Sequence, residues 1–302
     1  MFDVIIVGAG PAGLCAGLYC IREGLNTVIL ERMVAGGQMA TTEAIENYPA
    51  IDKISGFELA EQMSQQVKNL GGVIKSGDVV AYELDKDVKK VITPKETFEA
   101  KAVILAMGAI RRTLGVPGEA EFASKGVSYC ATCDGFFFKG RTVAVVGGGD
   151  TAVADAEYLA NLCEKVYLIH RRDQFRAAPI RVDRIAKNPK VTILYDTVVT
   201  SVNGSQTVES ISVQNVKSKE ESTFPVSGVF MAVGTHPQTD NLQGILNMDQ
   251  EGYILAGEDC KTSLEGVFVA GDLRKKPLKQ IVTALADGAV SAFGAGEYIR
   301  EK

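Results

Sequence analysis

Asp3-Val4-Ile5-Ile6-Val7-Gly8-Ala9-Gly10-Pro11-Ala12-Gly13 decides the fold: an apolar run ends in glycines spaced GxGxxG, and Leu14 to Arg22 then has helix-forming composition. The order is strand, glycine turn, helix. In such a unit one glycine permits the tight turn, one lets the backbone approach a pyrophosphate and one lets the helix pack on the strand, while the helix N-terminus faces the phosphates. Thr27-Val28-Ile29-Leu30 reads as the second strand. Glu31 then lies about 20 residues beyond Gly10, where an acid can bond ribose hydroxyls. The plainer alternative, a glycine turn that only packs, does not account for the strand, helix and acid together.

The same unit occurs twice. Thr142-Val143-Ala144-Val145-Val146 runs into Gly147-Gly148-Gly149-Asp150-Thr151-Ala152, and Lys165 to Ile169 reads as the following strand. That strand ends in His170-Arg171-Arg172 rather than in an acid. A carboxylate there would repel a ribose 2′-phosphate, whereas Arg171, Arg172 and Arg176 can pair with it, so the second pocket favours NADP over NAD. A solvated basic turn is the competing explanation.

Between the two glycine patterns lies Ser128-Tyr129-Cys130-Ala131-Thr132-Cys133-Asp134-Gly135. Two cysteines separated by two residues can close a small reducible disulfide, often with one thiol of lowered pKa. The adjacent carboxylate could move a proton. Half a zinc site and a pair of incidental core cysteines remain open on these residues alone. The other cysteines, Cys15, Cys20, Cys163 and Cys260, have no framework spacing and read as buried apolar residues in a reducing compartment. With only His170 and His236 in the chain, a structural zinc site is short of ligands, and no metal is expected.

Composition bounds the rest. The 302 residues, 46% hydrophobic and 23% charged, suit a globular enzyme of about two domains. A formal net charge of −5 argues against a general nucleic-acid surface. Met1-Phe2-Asp3 has no basic n-region and no apolar run reaches membrane-spanning length, so a cytoplasmic location and no membrane partner are expected.

Gly36-Gly37-Gln38 and Glu46-Asn47-Tyr48-Pro49 read as turn-rich loops with backbone and amide donors. Ser55-Gly56-Phe57-Glu58 has the form of a capping box, and Leu59, Met63, Val67 and Leu70 recur at helical spacing as a core stripe. Residues 73 to 105 read as β-rich, with Lys86, Asp87, Lys89 and Lys90 on a solvated hairpin. A further β-rich passage covers Val191 to Leu194, Val198 to Val202, Ile211 to Val216 and Gly228 to Val233, followed by a linker over Thr235 to Asp240. His236 reads as a loop residue that nothing nearby orients. Val267 to Asp272 reads as a buried strand ending in Gly-Asp, where an aspartate is well placed to meet a ligand, and Gln280 to Phe293 has helical composition.

Taken together, GAGPAG (8–13), GGQ (36–38), ENYP (46–49), CATCDG (130–135), GGGDTA (147–152), HRRDQFR (170–176), GVFMAVGTHPQT (228–239) and AGD (270–272) resemble the low-molecular-weight thioredoxin reductases nearly end to end. The resemblance implies an α/β fold of two Rossmann-like three-layer domains. An FAD domain from about 1–112 and 241–302 would have an NADPH domain, about 113–240, inserted into it and carrying the CxxC. It also implies site residues. For FAD these are Gly8, Gly10, Ala12, Gly13, Glu31, Gly37, Gln38, Asn47, Asp272, Gln280 and Ile281; for NADPH they are Gly149, Asp150, Thr151, Arg171, Arg172 and Arg176. Ala106-Met107-Gly108, where members commonly have Ala-Thr-Gly, and Lys279, where many have Arg, depart from the pattern.

The implied activity is a homodimeric NADPH-dependent thioredoxin-disulfide reductase, with Cys133 toward the flavin, Cys130 attacking thioredoxin and Asp134 as general acid. Rotation about hinges near 108–114 and 235–241 would alternate the group presented to the flavin. Rival readings share the core. A peroxiredoxin reductase usually carries an added N-terminal region, and this sequence opens on the first strand. A small-molecule dithiol oxidase would run the chemistry toward oxygen, and ferredoxin-driven relatives tend to lack the arginines. A non-catalytic redox-sensing module would not pass electrons from NADPH to flavin.

Overall fold

The structure is a computed structural model and describes residues 1–42 and 44–302. The chain divides into two compact units, Met1–Ile110 with His236–Lys302, and Arg111–Thr235.

The first unit begins with β1 (Phe2–Val7), α1 (Pro11–Arg22), β2 (Thr27–Glu31), α2 (Gly56–Asn69), β3 (Val73–Ser76), β4 (Ala81–Glu83), β5 (Lys89–Ile92), β6 (Thr97–Leu105) and β7 (Ala109–Arg111). Its sheet has the order β3-β2-β1-β6-β5-β4, with parallel pairing from β3 to β6 and antiparallel pairing from β6 to β4. Side chains alternate across a strand. Val4 and Ile6 therefore join α1 in one apolar cluster, while Ile5 and Val7 join Val28, Leu30 and Val91 in another. A strand buried on both faces cannot show a polar alternation, which is why β1 and β2 read as continuous apolar runs.

The sequence reading holds with local changes. Ser55 caps α2 by accepting the Glu58 N–H at 3.2 Å. Of its predicted stripe, Leu59 and Val67 are buried, but Leu70 falls at the C-cap and is exposed. Lys89, expected on a solvated hairpin, is buried, because β5 turns its odd positions inward and puts Lys89 on the face of Val91. Burial lowers the pKa of Lys89.

The second unit contains β8 (Val127–Ser128), α3 (Ala131–Asp134), β9 (Thr142–Val146), α4 (Asp150–Leu162), β10 (Lys165–Ile169), α5 (Pro179–Ala186), β11 (Val191–Leu194), β12 (Thr197–Gly204), β13 (Val208–Asn215), β14 (Glu221–Pro225) and β15 (Gly228–Met231). Its parallel sheet has the order β11-β10-β9-β15-β8. Val143, Val145, Val166 and Leu168 pack with α4, whereas Ala144, Val146, Tyr167 and Ile169 meet residues of the antiparallel β12-β13-β14 sheet. Helix, parallel sheet and antiparallel sheet make three layers. Sequence patterning does not show β14, because three of the five residues in Glu221-Ser222-Thr223-Phe224-Pro225 are polar.

The chain returns through β16 (Thr235–Pro237), β17 (Val267–Val269) and α6 (Ile281–Glu301). β17 pairs in parallel with Val103–Leu105 of β6, beyond the stretch of β6 that pairs with β5. The first half of the expected linker, Thr235–Pro237, is strand rather than loop, and His236 is oriented after all: its Nε2 lies 3.2 Å from an Asp240 carboxylate oxygen. α6 packs on α1 so closely that a Cβ at Gly288 would collide with the Ala12 carbonyl. No described helix is long and apolar enough to cross a membrane.

Candidate active site

In the first unit the glycine turn works as its spacing suggests. Gly8 has φ +102, and a Cβ there would lie 2.5 Å from the Ala106 carbonyl oxygen. A Cβ at Gly13 would collide with the Gly8 carbonyl. Gly10 differs, because a Cβ there would meet nothing within 4 Å, in a backbone conformation any residue adopts (φ −72, ψ −177). That open space adjoins the N-terminus of α1, which has no side-chain cap and no acid in its first turn. Unsatisfied N–H groups beside an open, Cβ-free surface suit a pyrophosphate.

Glu31 and Gly37, both predicted, lie against this turn. Glu31 accepts the Ala9 N–H at 2.7 Å and the Met33 N–H at 2.9 Å, which holds its carboxylate beside the turn with lone pairs left for hydroxyls. Gly37 has φ +56, and a Cβ there would lie 3.4 Å from the Gly10 Cα, so Gly37 borders the same opening, with Gln38 next to it in the chain. Asn47 Nδ2 donates to Gln280 Oε1 at 3.1 Å, joining positions far apart in sequence. Gln280 also caps α6, directly before Ile281. Gly271 packs against Ala12, which brings the Asp272 turn to the start of α1.

Sequence reasoning missed what holds that turn. Asp287 on α6 accepts the Gly271 N–H at 3.0 Å, Arg274 Nη2 at 2.9 Å and Lys276 Nζ at 2.9 Å. All three side chains are buried, so one carboxylate serves two cations. Of the departures from the family pattern, Lys279 places its ammonium 3.5 Å from the Tyr253 ring centre, and Met107 joins the second apolar cluster.

In the second unit Gly149, like Gly10, has open space where a Cβ would stand, at the N-terminus of α4. The 170–178 loop folds back over this turn. Arg176 N–H donates to the Gly148 carbonyl at 2.8 Å, and Ala178 N–H donates to the Asp150 carboxylate at 3.1 Å. Arg171, Arg172 and Arg176 are exposed, as is Thr151. The organising residue is His170. Its buried ring stacks on Phe175 at 4.9 Å, bonds the Gln174 carbonyl through Nε2 at 2.9 Å and fills the space where Gly148 has no side chain. Burial, then the three arginines, lower its pKa and favour the neutral imidazole. The preceding apolar strand gave no sign of this packing role.

Cys130 and Cys133 form a disulfide with Cα atoms 5.3 Å apart. Cys130 caps the short α3, and its Sγ accepts the Cys133 N–H at 3.2 Å. Asp134 ends that helix. Burial raises its pKa, while the Ser128 hydroxyl and the Arg111 charge pull it down, and the net direction is upward. An acid that keeps its proton nearer neutrality suits proton delivery to a thiolate. Tyr129 stacks under Arg111 and bonds Glu119 at 3.0 Å, while Glu119 holds the Leu114 and Gly115 amides. The remaining cysteines are inert by comparison: burial raises Cys15, Cys163 and Cys260 to about 11 and Cys20 to about 12. Among the described residues no group of three or more His, Cys, Asp or Glu is placed to hold a metal ion.

Residues 2–288 match the pyridine nucleotide-disulphide oxidoreductase family. A thioredoxin reductase of Listeria innocua is 43% identical over 302 residues, covering 100% of this chain and 95% of that protein. The chain belongs to the thioredoxin reductase family. The solved Streptococcus pyogenes thioredoxin reductase matches at 43% identity and a TM-score of 0.95, covering 100% of this chain and 99% of that one. The Giardia duodenalis thioredoxin reductase matches at 36% identity and a TM-score of 0.96, covering 99% of each chain. Thioredoxin reductase membership makes the Cys130–Cys133 disulfide the redox-active pair, in an enzyme that uses flavin and pyridine nucleotide.

Proposed function

We propose that this chain uses NADPH and FAD to reduce the disulfide of a thioredoxin through its own Cys130–Cys133 pair. The observation that carries the proposal is a closed CxxC disulfide beside a carboxyl of raised pKa, in a chain that holds two glycine-turn nucleotide sites. The first unit is the FAD domain and the second the NADPH domain. When bound, flavin and nicotinamide supply the hydride transfer that no side chain here can supply.

The chain's residues bind, orient and move protons. The α1 N-terminus with Gly8, Gly10, Ala12 and Gly13 takes the FAD pyrophosphate, and Glu31 accepts ribose hydroxyls. Gly37, Gln38, Asn47, Asp272, Gln280 and Ile281 hold the remainder. At the second site Gly149, Asp150 and Thr151 hold the NADPH phosphates, while Arg171, Arg172 and Arg176 pair with the 2′-phosphate. Two electrons delivered to the disulfide break the S–S bond, and Asp134 donates a proton to one sulfur. The Cys130 thiolate then attacks the thioredoxin disulfide. Cys133 resolves the mixed disulfide by attacking Cys130, which releases reduced thioredoxin and closes the pair again. The enzyme works as a cytoplasmic homodimer.

A trapping experiment tests the division of labour between the sulfurs. A thioredoxin with one cysteine, activated as an aryl disulfide, is mixed with Cys133→Ser and with Cys130→Ser enzyme. Only Cys133→Ser, which retains Cys130, should form a covalent complex rapidly. Rapid trapping by Cys130→Ser instead would reverse the assignment.

A further inference from the structure

Ser128 is 5% exposed on β8, whose backbone is fixed by parallel pairing of Val127 and Ser128 with Val229 and Phe230. Its hydroxyl oxygen lies 2.6 Å from Asp134 Oδ2, 3.1 Å from the Cys130 N–H that it accepts, and 3.4 Å from the Cys130 carbonyl oxygen. A hydroxyl has one proton to give, and the 2.6 Å contact is the one that takes it. The same oxygen therefore donates to the Asp134 carboxylate and accepts from the backbone of Cys130. Through Cys130, which caps α3, it reaches the turn that holds both sulfurs.

We propose that Ser128 is a positioning residue of the redox centre, tying the Asp134 carboxyl to the Cys130 backbone and setting the pH range over which Asp134 can protonate a thiolate. The inference rests on Asp134 being the acid of the proposed reaction. When the disulfide is reduced, two electrons enter the S–S bond, the bond breaks, and one sulfur takes the Asp134 proton. The carboxylate left behind is the form that the Ser128 hydrogen bond favours.

Other charges around Asp134 do not substitute for this contact. Arg111 precedes the redox segment, Tyr129 lies between Ser128 and Cys130, and Lys139 follows the next turn. Helix α4, packed against α3, carries Asp150, Asp155, Glu157 and Tyr158. Of these, Arg111 alone biases Asp134, and it acts in the same direction as Ser128. Removing the hydroxyl leaves burial opposed by Arg111 alone.

The test is the pH dependence, by anaerobic stopped-flow, of disulfide reduction in the flavin-loaded enzyme, for wild type, Ser128→Ala, Ser128→Thr and Asp134→Asn. Ser128→Ala should keep its flavin, lose roughly tenfold in rate, about the factor one hydrogen bond carries, and show an alkaline limb moved to higher pH. Ser128→Thr, which keeps the hydroxyl, should restore the limb. Infrared difference spectra of the oxidised protein labelled with carbon-13 aspartate give a readout that does not depend on turnover. The Asp134 carboxyl band should titrate at higher pH in Ser128→Ala and be missing in Asp134→Asn. A slower Ser128→Ala with limb and band unmoved would reduce Ser128 to a packing residue and overturn the proposal. If Asp134→Asn kept the wild-type rate and limb, the underlying assignment of Asp134 would fail instead, a result separate from any Ser128 outcome.

Discussion

Replacing the arginines of the 170–178 loop by glutamine is the sharpest perturbation of cofactor choice. Among the described residues the ion pairs of this unit are Arg184 with Glu157 and Lys217 with Asp173 and Asp196, and the proposed role gives the guanidinium groups of Arg171, Arg172 and Arg176 to a ligand. A hydrogen bond to a charged partner contributes about 1.5–3 kcal/mol, and exposure with salt screening brings an open site toward the lower end. At about 1.4 kcal/mol per factor of ten, each single Arg→Gln change should raise KM for NADPH roughly tenfold. NADH has no 2′-phosphate, so its kinetics should hardly move, and the preference should shrink as ionic strength rises. The loop supplies its own control. All three arginines lower the His170 pKa, so each substitution should raise it, as read by imidazole NMR without any cofactor. Equal losses with NADPH and NADH, or no loss at all, would refute the 2′-phosphate role.

Gly10→Ala and Gly149→Ala should both fold, since a Cβ at either site meets nothing in the protein, yet they should fail differently. The first should lose flavin on gel filtration and the second should keep flavin with weakened NADPH binding; identical phenotypes would undo the two-site assignment. Asp155, on α4, has a pKa raised by burial to about 6 against 3.8. The folded state therefore holds its proton more tightly, so the stability it confers is fully present below about pH 4 and is lost as pH rises to about 6. Asp155→Asn should raise thermal stability by on the order of 2–3 kcal/mol at pH 8, with the gain vanishing below about pH 4; a pH-independent change would contradict this. Asp287→Asn removes the one carboxylate shared by buried Arg274 and Lys276, a loss that typically costs about 3–5 kcal/mol. It should lower the melting temperature and release flavin, and an unchanged melt with full flavin would show that the cluster does not hold the Asp272 turn.

The parts of the fold legible in the sequence were those with one local cause. β1-turn-α1 and β9-turn-α4 follow from apolar runs buried on both faces and from glycines that lack room for a Cβ. Ser55 announced α2 because a capping side chain acts on the amide three residues ahead. What stayed hidden depends on distance in the chain. Nothing around Lys89 predicts its burial, which comes from the inward face of β5. The Asn47–Gln280 bond spans most of the chain, and the Asp287 cluster draws on a turn and a helix that neither glycine pattern signals. At the redox centre, CATCDG made Cys130, Cys133 and Asp134 visible. Ser128 was not singled out because its importance lies in a side-chain contact six residues along a bent backbone.

The central claim is that electrons pass from NADPH through the flavin and the Cys130–Cys133 pair to a thioredoxin. An anaerobic titration of the flavin-loaded protein, followed by visible absorbance, tests it directly. NADPH should bleach the flavin far more effectively than NADH, and oxidised thioredoxin should restore the colour in wild type but not in Cys130→Ser. A flavin that NADPH leaves oxidised, or one that thioredoxin cannot reoxidise in the wild type, would contradict the account.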